Sequence, residues 1–402
     1  MTDQTVGRDP ALTGLRAIAA LAVVGTHAAF ATGVLTHGYL GALTARLDIG
    51  VAVFFVLSGY LLFRPWVRAA ADGIPAPSVR RYGRHRVRRI LPAYVITVIA
   101  AFEIYTVFTP GPNPGQSLHG LLRYLTFTQI YTDDYLSTML HPGLSQMWSM
   151  AVEVSFYVAL PALVFVLLRG RWRPVRVLAG LAALAVLTPA WLIVGQVTDL
   201  LPSSAGMWLP GHLAWFAGGV ALAVLQTLGV RCPAVVAVPI AGALYLVVST
   251  SIGGAILGPD PWWVPAAKAT LYALIATVAV APAALGSRDS YTRVLGSRPV
   301  VWLGEISYEI FLLHVVVMAL TMHLVLRWPL FTGSMPGLIA ATLALTVPAA
   351  WLLHRVTAPQ SRARSEGSSA ASALPRCEAA SFSSGLSSAA VRSDPVGRNT
   401  GS

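Results

Sequence analysis

The sequence predicts an all-α, polytopic integral membrane bundle of about ten transmembrane helices with both termini cytoplasmic, and three observations predict it. Of 402 residues, 55% are hydrophobic and only 11% are charged, with a mean hydropathy of +0.67, far from the soluble average. Apolar runs of the roughly 20 residues needed to span a bilayer recur near 12–32, 47–66, 90–109, 147–168, 176–197, 207–227, 233–252, 264–285, 300–326 and 334–354. The basic residues alternate sides with these runs. Arg64, Arg68, Arg80, Arg81, Arg84, Arg86, Arg88 and Arg89 follow span two, and Arg169, Arg171, Arg173 and Arg176 follow span four. Arg231, then Arg288, Arg293 and Arg298, then Arg355 continue the series. The opposite side holds only Arg46, Arg123, Lys268 and Arg327, so the positive-inside rule places both termini in the cytoplasm. The net charge of +12 therefore reads as topology and excludes nucleic acid as the expected partner. The lipid bilayer of a plasma or inner membrane takes that place.

The N-terminus carries Asp3 and Asp9 without a basic cluster, a poor signal-peptide start. Ala29-Phe30-Ala31 resembles a cleavage site, but span one is read as retained. Cys232 and Cys377 fall on the cytoplasmic side, where thiols stay reduced, and neither has metal-ligand spacing, so neither a disulfide nor a metal is expected. The membrane domain is read as 1–357. From 358 onward Ser, Ala, Gly and scattered Arg replace apolar periodicity, and 358–402 is expected to be a disordered cytoplasmic tail.

In span one, Arg16 and His27 stand eleven residues apart, almost three turns, on one helix face and roughly 16 Å apart along the axis. Ionisable groups inside a span cost about 2.5–3.5 kcal/mol each on insertion scales, which points to a site inside the bundle. Span two, DIGVAVFFVLSGYLL, sets Ser58 and Gly59 in an apolar run. Such a pair is a packing device that lets another backbone come close or, with Ser58 as nucleophile, a catalytic one, although no base neighbours it. RYGRHRVRRILPAY packs arginines before span three, where Arg86 and Arg89 would grip lipid headgroups or donor phosphates with their guanidinium forks.

Span four opens MWSMAVEVSFYVALP. Glu153 is expected to face a cation, a histidine or a wet cavity, while Trp148, Phe156 and Tyr157 read as interfacial or packing aromatics. In span nine, WLGEISYEIFLLHVVV, Ser307, Phe311 and His314 share one face at i, i+4 and i+7, aiming a hydroxyl and an imidazole into the bundle. Glu305 and Glu309 are expected to pair with Arg298 or other loop arginines. The remaining histidines carry no assigned chemistry.

Taken in order, Arg16-x10-His27, FFVLSGYLL, Arg86-x-x-Arg89-Ile90-x-Pro92, WSMAVEVSFY and ISYEIFLLH resemble the signature stretches of the membrane acyltransferase type-3 family over about residues 12–320. The resemblance implies a membrane enzyme that moves an acyl group, often acetyl, from acyl-coenzyme A to a hydroxyl of a sugar, envelope glycan, lipid or macrolide-type acceptor. It departs from the family pattern at Val154, where a second acidic residue is common, and at Thr357-Ala358-Pro359, where Glu-Arg-Pro often closes the last span. Some relatives carry a fused periplasmic esterase-like domain. None is legible after span ten, so this chain is expected to act alone or to hand its product on.

On that resemblance, the phosphates of acyl-coenzyme A dock on Arg86, Arg89 and Arg16, and the thioester threads toward His27. There His27 acts as general base or transient acyl carrier, with Glu153 orienting it and His314 near by. Ser58, Gly59, Trp148, Ser307 and Tyr308 are read as structural or substrate-lining. Buried Arg, Glu and His also build proton-coupled transporters, the alternative that stays open at this point, alongside a non-catalytic flippase subunit. The acceptor is not legible: the outer segment 110–146 is too irregular to read, and Asp133 and Asp134 serve equally as sugar ligands or as solvated loop charges. Oligomeric state is not legible either.

Overall fold

The computed structural model describes residues 9–255 and 258–357, and all regular structure among them is helical. The expected tail from 358, with Cys377, lies outside the described residues. The helices in order are α1 (Pro10–Ala31), α2 (Gly38–Ala45), α3 (Ile49–Asp72), α4 (Val79–Val107), α5 (Leu118–Leu125) and α6 (Tyr135–Thr138), followed by α7 (Trp148–Leu168), α8 (Pro174–Val197) and α9 (Leu213–Thr227). The series closes with α10 (Ala234–Val248), α11 (Val264–Ala284), α12 (Ser290–Leu295), α13 (Arg298–Glu305), α14 (Ser307–Leu320) and α15 (Met335–Thr357).

Among the described residues, nine helical segments are long and apolar enough to cross a membrane. The tenth expected span corresponds to α10, whose 15 residues rise about 22 Å at 1.5 Å per residue, short of a hydrocarbon core of about 30 Å. The expected continuous span 300–326 is broken at Ile306 into α13 and α14, and α14 runs on into a π-helical turn over Thr321–Val325. The break is anchored on α1: a Cβ on Gly304 would sit 2.0 Å from the Thr13 carbonyl oxygen, so only glycine admits this approach.

Local chemistry starts and stops the helices that carry the site. Asp9 Oδ1 accepts from Ala11 N–H at 3.0 Å with Pro10 at the first position of α1, the Ser78 hydroxyl caps α4, and Gly73 ends α3 in the left-handed region at φ 67°. α1 packs against α3, α13, α14 and α15 and so forms an axis of the bundle. α9 is equally interior, with 67% of its span buried, whereas α8 and α15, each 22% buried, form the rim and turn Val186, Val197, Leu352 and Val356 outward to lipid.

The tightest approach joins α3 to α9. A Cβ on Gly59 would meet the Phe216 carbonyl oxygen at 2.3 Å, and one on Gly219 would meet the Val56 carbonyl oxygen at 2.0 Å. This small-residue contact sets the backbones close enough for van der Waals packing to hold them. Phe216 then stacks on Phe55 of α3 and Phe156 of α7, with centroids 4.5 and 3.9 Å apart.

Three of the four basic residues expected on the outer side are tied inside the protein. Arg46 is buried and donates to the Val248 and Gly254 carbonyls, Arg123 donates to Tyr131 O at 2.6 Å, and Lys268 pairs with Asp48 at 2.9 Å. They serve packing and leave the topological contrast to the arginine-rich side. In the outer segment, buried His141 donates from Nε2–H to Gln116 Oε1 at 2.9 Å and accepts at Nδ1 from Gly143 N–H at 3.2 Å.

Two measurements follow. Gly219→Ala forces a methyl against Val56 and is expected to cost about 1–3 kcal/mol, read as a lowered unfolding temperature in detergent. Burial pushes the His141 imidazole down from 6.5 to about 4. The unfolded ring binds a proton below about 6.5 and the folded ring only below about 4, so this contribution is complete above that window and is lost as pH falls through it. His141→Gln should flatten the acid side of the stability profile.

Candidate functional site

Five helices turn one face each toward a common open cleft with a water-accessible volume of about 80 Å³. α3 contributes Val51, Phe54, Phe55, Ser58, Leu61 and Leu62, all at helical spacing. α1 contributes Arg16; α4 contributes Arg86, Arg89 and Ile90; α7 contributes Ser149, Met150, Glu153 and Tyr157; α14 contributes Ser307, Tyr308 and Phe311. Sequence positions as distant as 16, 89, 153 and 308 thus meet at one wall. The Tyr308 hydroxyl donates to Ile90 O at 3.0 Å and ties α14 to α4, while Ser307 Oγ donates to Gly304 O at 2.8 Å across the α13–α14 break.

Three guanidiniums line this cleft against one carboxylate. Arg16 makes no hydrogen bond or ion pair among the described residues, although Glu153 is an attractive neighbour and Arg89 and Arg86 are repulsive ones. Arg86 Nε is buried without a hydrogen-bond partner. Arg80, Arg81, Arg84 and Arg88 extend the basic surface along the exposed first turns of α4. A cavity with this excess of positive charge focuses anions, and the flat, forked donors of arginine suit phosphate.

Glu153 does not meet His27. Its Oε1 accepts hydrogen bonds from both the Ser58 and Tyr157 hydroxyls, so the expected orienting contact is replaced by a pair of hydroxyl donors. Two hydrogen bonds to a charged acceptor, about 1.5–3 kcal/mol each, hold Glu153 with the hydroxyls. Tyr157, read from sequence as a packing aromatic, is therefore a cleft residue. Its i, i+4 spacing from Glu153 was the available signal. Ser58 and Gly59 divide two tasks on one helix: the hydroxyl faces Glu153 and the glycine faces α9.

His27 and His314 form a pair, with ring centroids 5.0 Å apart and an edge geometry of 73°. His27 Nδ1 lies 2.8 Å from Val23 O, and His314 Nδ1 lies 2.8 Å from Phe311 O. Carbonyl oxygens only accept, so both Nδ1 atoms carry protons. His314 Nε2, 3.4 Å from His27 Nδ1, then presents its lone pair to that N–H. These contacts leave His27 Nε2 with a lone pair and, among the described residues, no partner on a half-buried ring, while His314 is fully buried. The sequence reading placed His314 near His27 without this contact.

The cleft lining ends at Phe54 and Phe311, which pack edge to face with centroids 5.9 Å apart, and Phe311 in turn touches His314 at 5.9 Å. Neither His27 nor His314 is among the described residues that line the cleft, so the expected threading from Arg16 to His27 is not an open part of this cleft. On the other flank, Asp48 at the start of α3 lies within electrostatic reach of His27 and binds Lys268 and the Tyr272 hydroxyl. No local motif in the sequence announced that cluster. Trp148 sits outside the cleft, 5.2 Å from the His212 ring. Asp134 caps α6 through Leu136 N–H at 3.1 Å, and Glu309 pairs with His354 at 2.9 Å in place of the expected Arg298, while Glu305 is exposed. Among the described residues no three metal-ligating side chains cluster.

With this geometry in view, the comparisons with known proteins bear on the whole membrane region. The acyltransferase-domain family model matches residues 9–355. The chain is 30% identical over 382 residues to the acyltransferase MdmB of Streptomyces mycarofaciens, covering 87% of this chain and 91% of that protein. It is 26% identical over 329 residues to the peptidoglycan O-acetyltransferase OatA of Listeria monocytogenes, covering 78% of this chain but only half of that longer protein. No solved structure matches. The match spans all five helices of the cleft and decides between transferase and transporter: the chain belongs to the membrane acyltransferase type-3 family and is an acyltransferase.

Proposed function

We propose that this protein is a membrane O-acyltransferase that takes an acyl group, acetyl in the first instance, from acyl-coenzyme A on the cytoplasmic side. It delivers the group to a hydroxyl of a sugar, envelope glycan, glycolipid or related acceptor. The observation that carries the reading is the cleft lined by Arg16, Arg86 and Arg89 with Glu153 as the one carboxylate. A donor bearing several phosphates supplies the missing negative charge, and the Nε of Arg86, buried without a partner, has a donor to give it. The exposed arginines at the start of α4 support a mouth on the basic side, which the positive-inside rule assigns to the cytoplasm.

His27 supplies the proton transfer. Its Nε2 lone pair takes the proton of the acceptor hydroxyl as the oxygen bonds to the thioester carbonyl carbon. The C–S bond then breaks, and the imidazolium returns the proton to the departing sulfur. His314 and the Val23 carbonyl hold the Nδ1–H tautomer that this role requires. Threading from the cleft to His27 requires an opening, because His27 does not line the cleft. The Listeria relative is a peptidoglycan O-acetyltransferase, which supports a glycan hydroxyl as acceptor class.

Purified protein given acetyl-coenzyme A and envelope glycan fractions should release free thiol, and mass spectrometry should find the acyl group on the acceptor. His27→Ala should lower turnover by about 10²–10⁴-fold while membrane insertion persists; near-normal turnover would remove His27 from the mechanism. Arg86→Ala and Arg89→Ala should raise the donor KM with a smaller effect on kcat. Uptake into proteoliposomes without thiol release would contradict the reading.

A further inference from the structure

We propose that Ser58 and Tyr157 are positioning residues that hold Glu153 off Arg16, keeping the Arg16 guanidinium open to a phosphate-bearing ligand. The inference rests on the donor reading above and deepens it. A carboxylate and a guanidinium lining one small cleft at membrane depth attract each other strongly, because little water is present to screen them. Left to themselves they would close into an ion pair, and a forked arginine is well shaped for it. Yet among the described residues Arg16 has no ion pair, while Glu153 is in its electrostatic surroundings.

The hydroxyls account for the separation. Each has a single proton, and both protons are committed to the same atom, Glu153 Oε1. The two donors come from different helices. Tyr157 lies one turn beyond Glu153 on α7, and Ser58 reaches across from α3. The rotation of α3 is itself set by the Gly59 contact with α9, and the preceding Ser58 is turned about 100° from that contact around the helix. The carboxylate is thereby drawn toward the α3–α7 side of the cleft. Arg16, on α1, is left facing the cavity together with Arg86. Glu153 thus balances part of the cationic charge at a distance without occupying the donors that a phosphate would use.

Loss of both hydroxyls should convert the open site into an internal Arg16–Glu153 pair that competes with the ligand. The test is equilibrium binding of coenzyme A to the full chain in detergent. The double variant Ser58→Ala/Tyr157→Phe should bind about five- to tenfold more weakly than the wild type, the competition expected from one ion pair. Adding Glu153→Gln to that background should restore affinity to within about twofold, because the amide does not compete as an ion-pair partner. A purely structural role for the hydroxyls would show no such rescue. Glu153→Gln alone should bind at least as tightly as the wild type, and this comparison decides the question if the double variant fails to fold. The inference is overturned if the double variant binds normally, if the triple variant stays as weak as the double, or if Glu153→Gln alone loses affinity. Absence of coenzyme A binding by the wild type would instead defeat the donor reading itself, and this inference with it.

Discussion

A charged or titratable side chain facing lipid is penalised by several kcal/mol, and this single constraint organises the bundle. Arg16, Arg86, Glu153, His27 and His314 are each tolerated because α1, α3, α4, α7 and α14 turn them toward one another or toward the cleft. The apolar faces of α8, α10 and α15 are left to meet the bilayer. The site is therefore a consequence of helix rotation. Once the polar face of each helix is committed inward, the guanidiniums have no other place to converge.

What fixes those rotations is small-residue packing. Gly59 and Gly219 lock α3 to α9, and Gly304 locks α13 to α1. The two contacts join different pairs of helices, yet both bear on the cleft. The first orients the α3 face carrying Phe54, Phe55 and Ser58, and the second fixes the break after which Ser307, Tyr308 and Phe311 face inward. Lipid tails offer no hydrophobic drive for helices to associate, so close backbone approach and a few interhelical hydrogen bonds supply the specificity. Tyr308 to Ile90 and Gln146 to Leu312 are of that kind.

The site divides into two environments with different chemical needs. The cleft is cationic and open, suited to holding an anion. The histidine pair lies beyond Phe54 and Phe311 and has its tautomers set by backbone carbonyls, leaving one lone pair available for proton transfer.

The sequence by itself determined the class and most of the constituents. The length and spacing of apolar runs specify a helical membrane bundle, because no other backbone arrangement built from such runs satisfies its hydrogen bonds in lipid. Isolated ionisable residues within those runs mark the site, because their burial is costly enough to need a reason. Arg16, His27, Glu153 and His314 stood out in that way, and Arg86 and Arg89 as a dense basic cluster before span three. Only the tertiary structure decided partnerships. Helical periodicity states which face a residue occupies but not which helix that face meets, so it could not say that Glu153 would bind Ser58 and Tyr157, that His27 would meet His314, or that Glu309 would find His354. It could not show the Phe54–Phe311 contact either. A phenylalanine in an apolar run looks the same whether it faces lipid or lines a cavity, and the distinction exists only once distant helices are side by side.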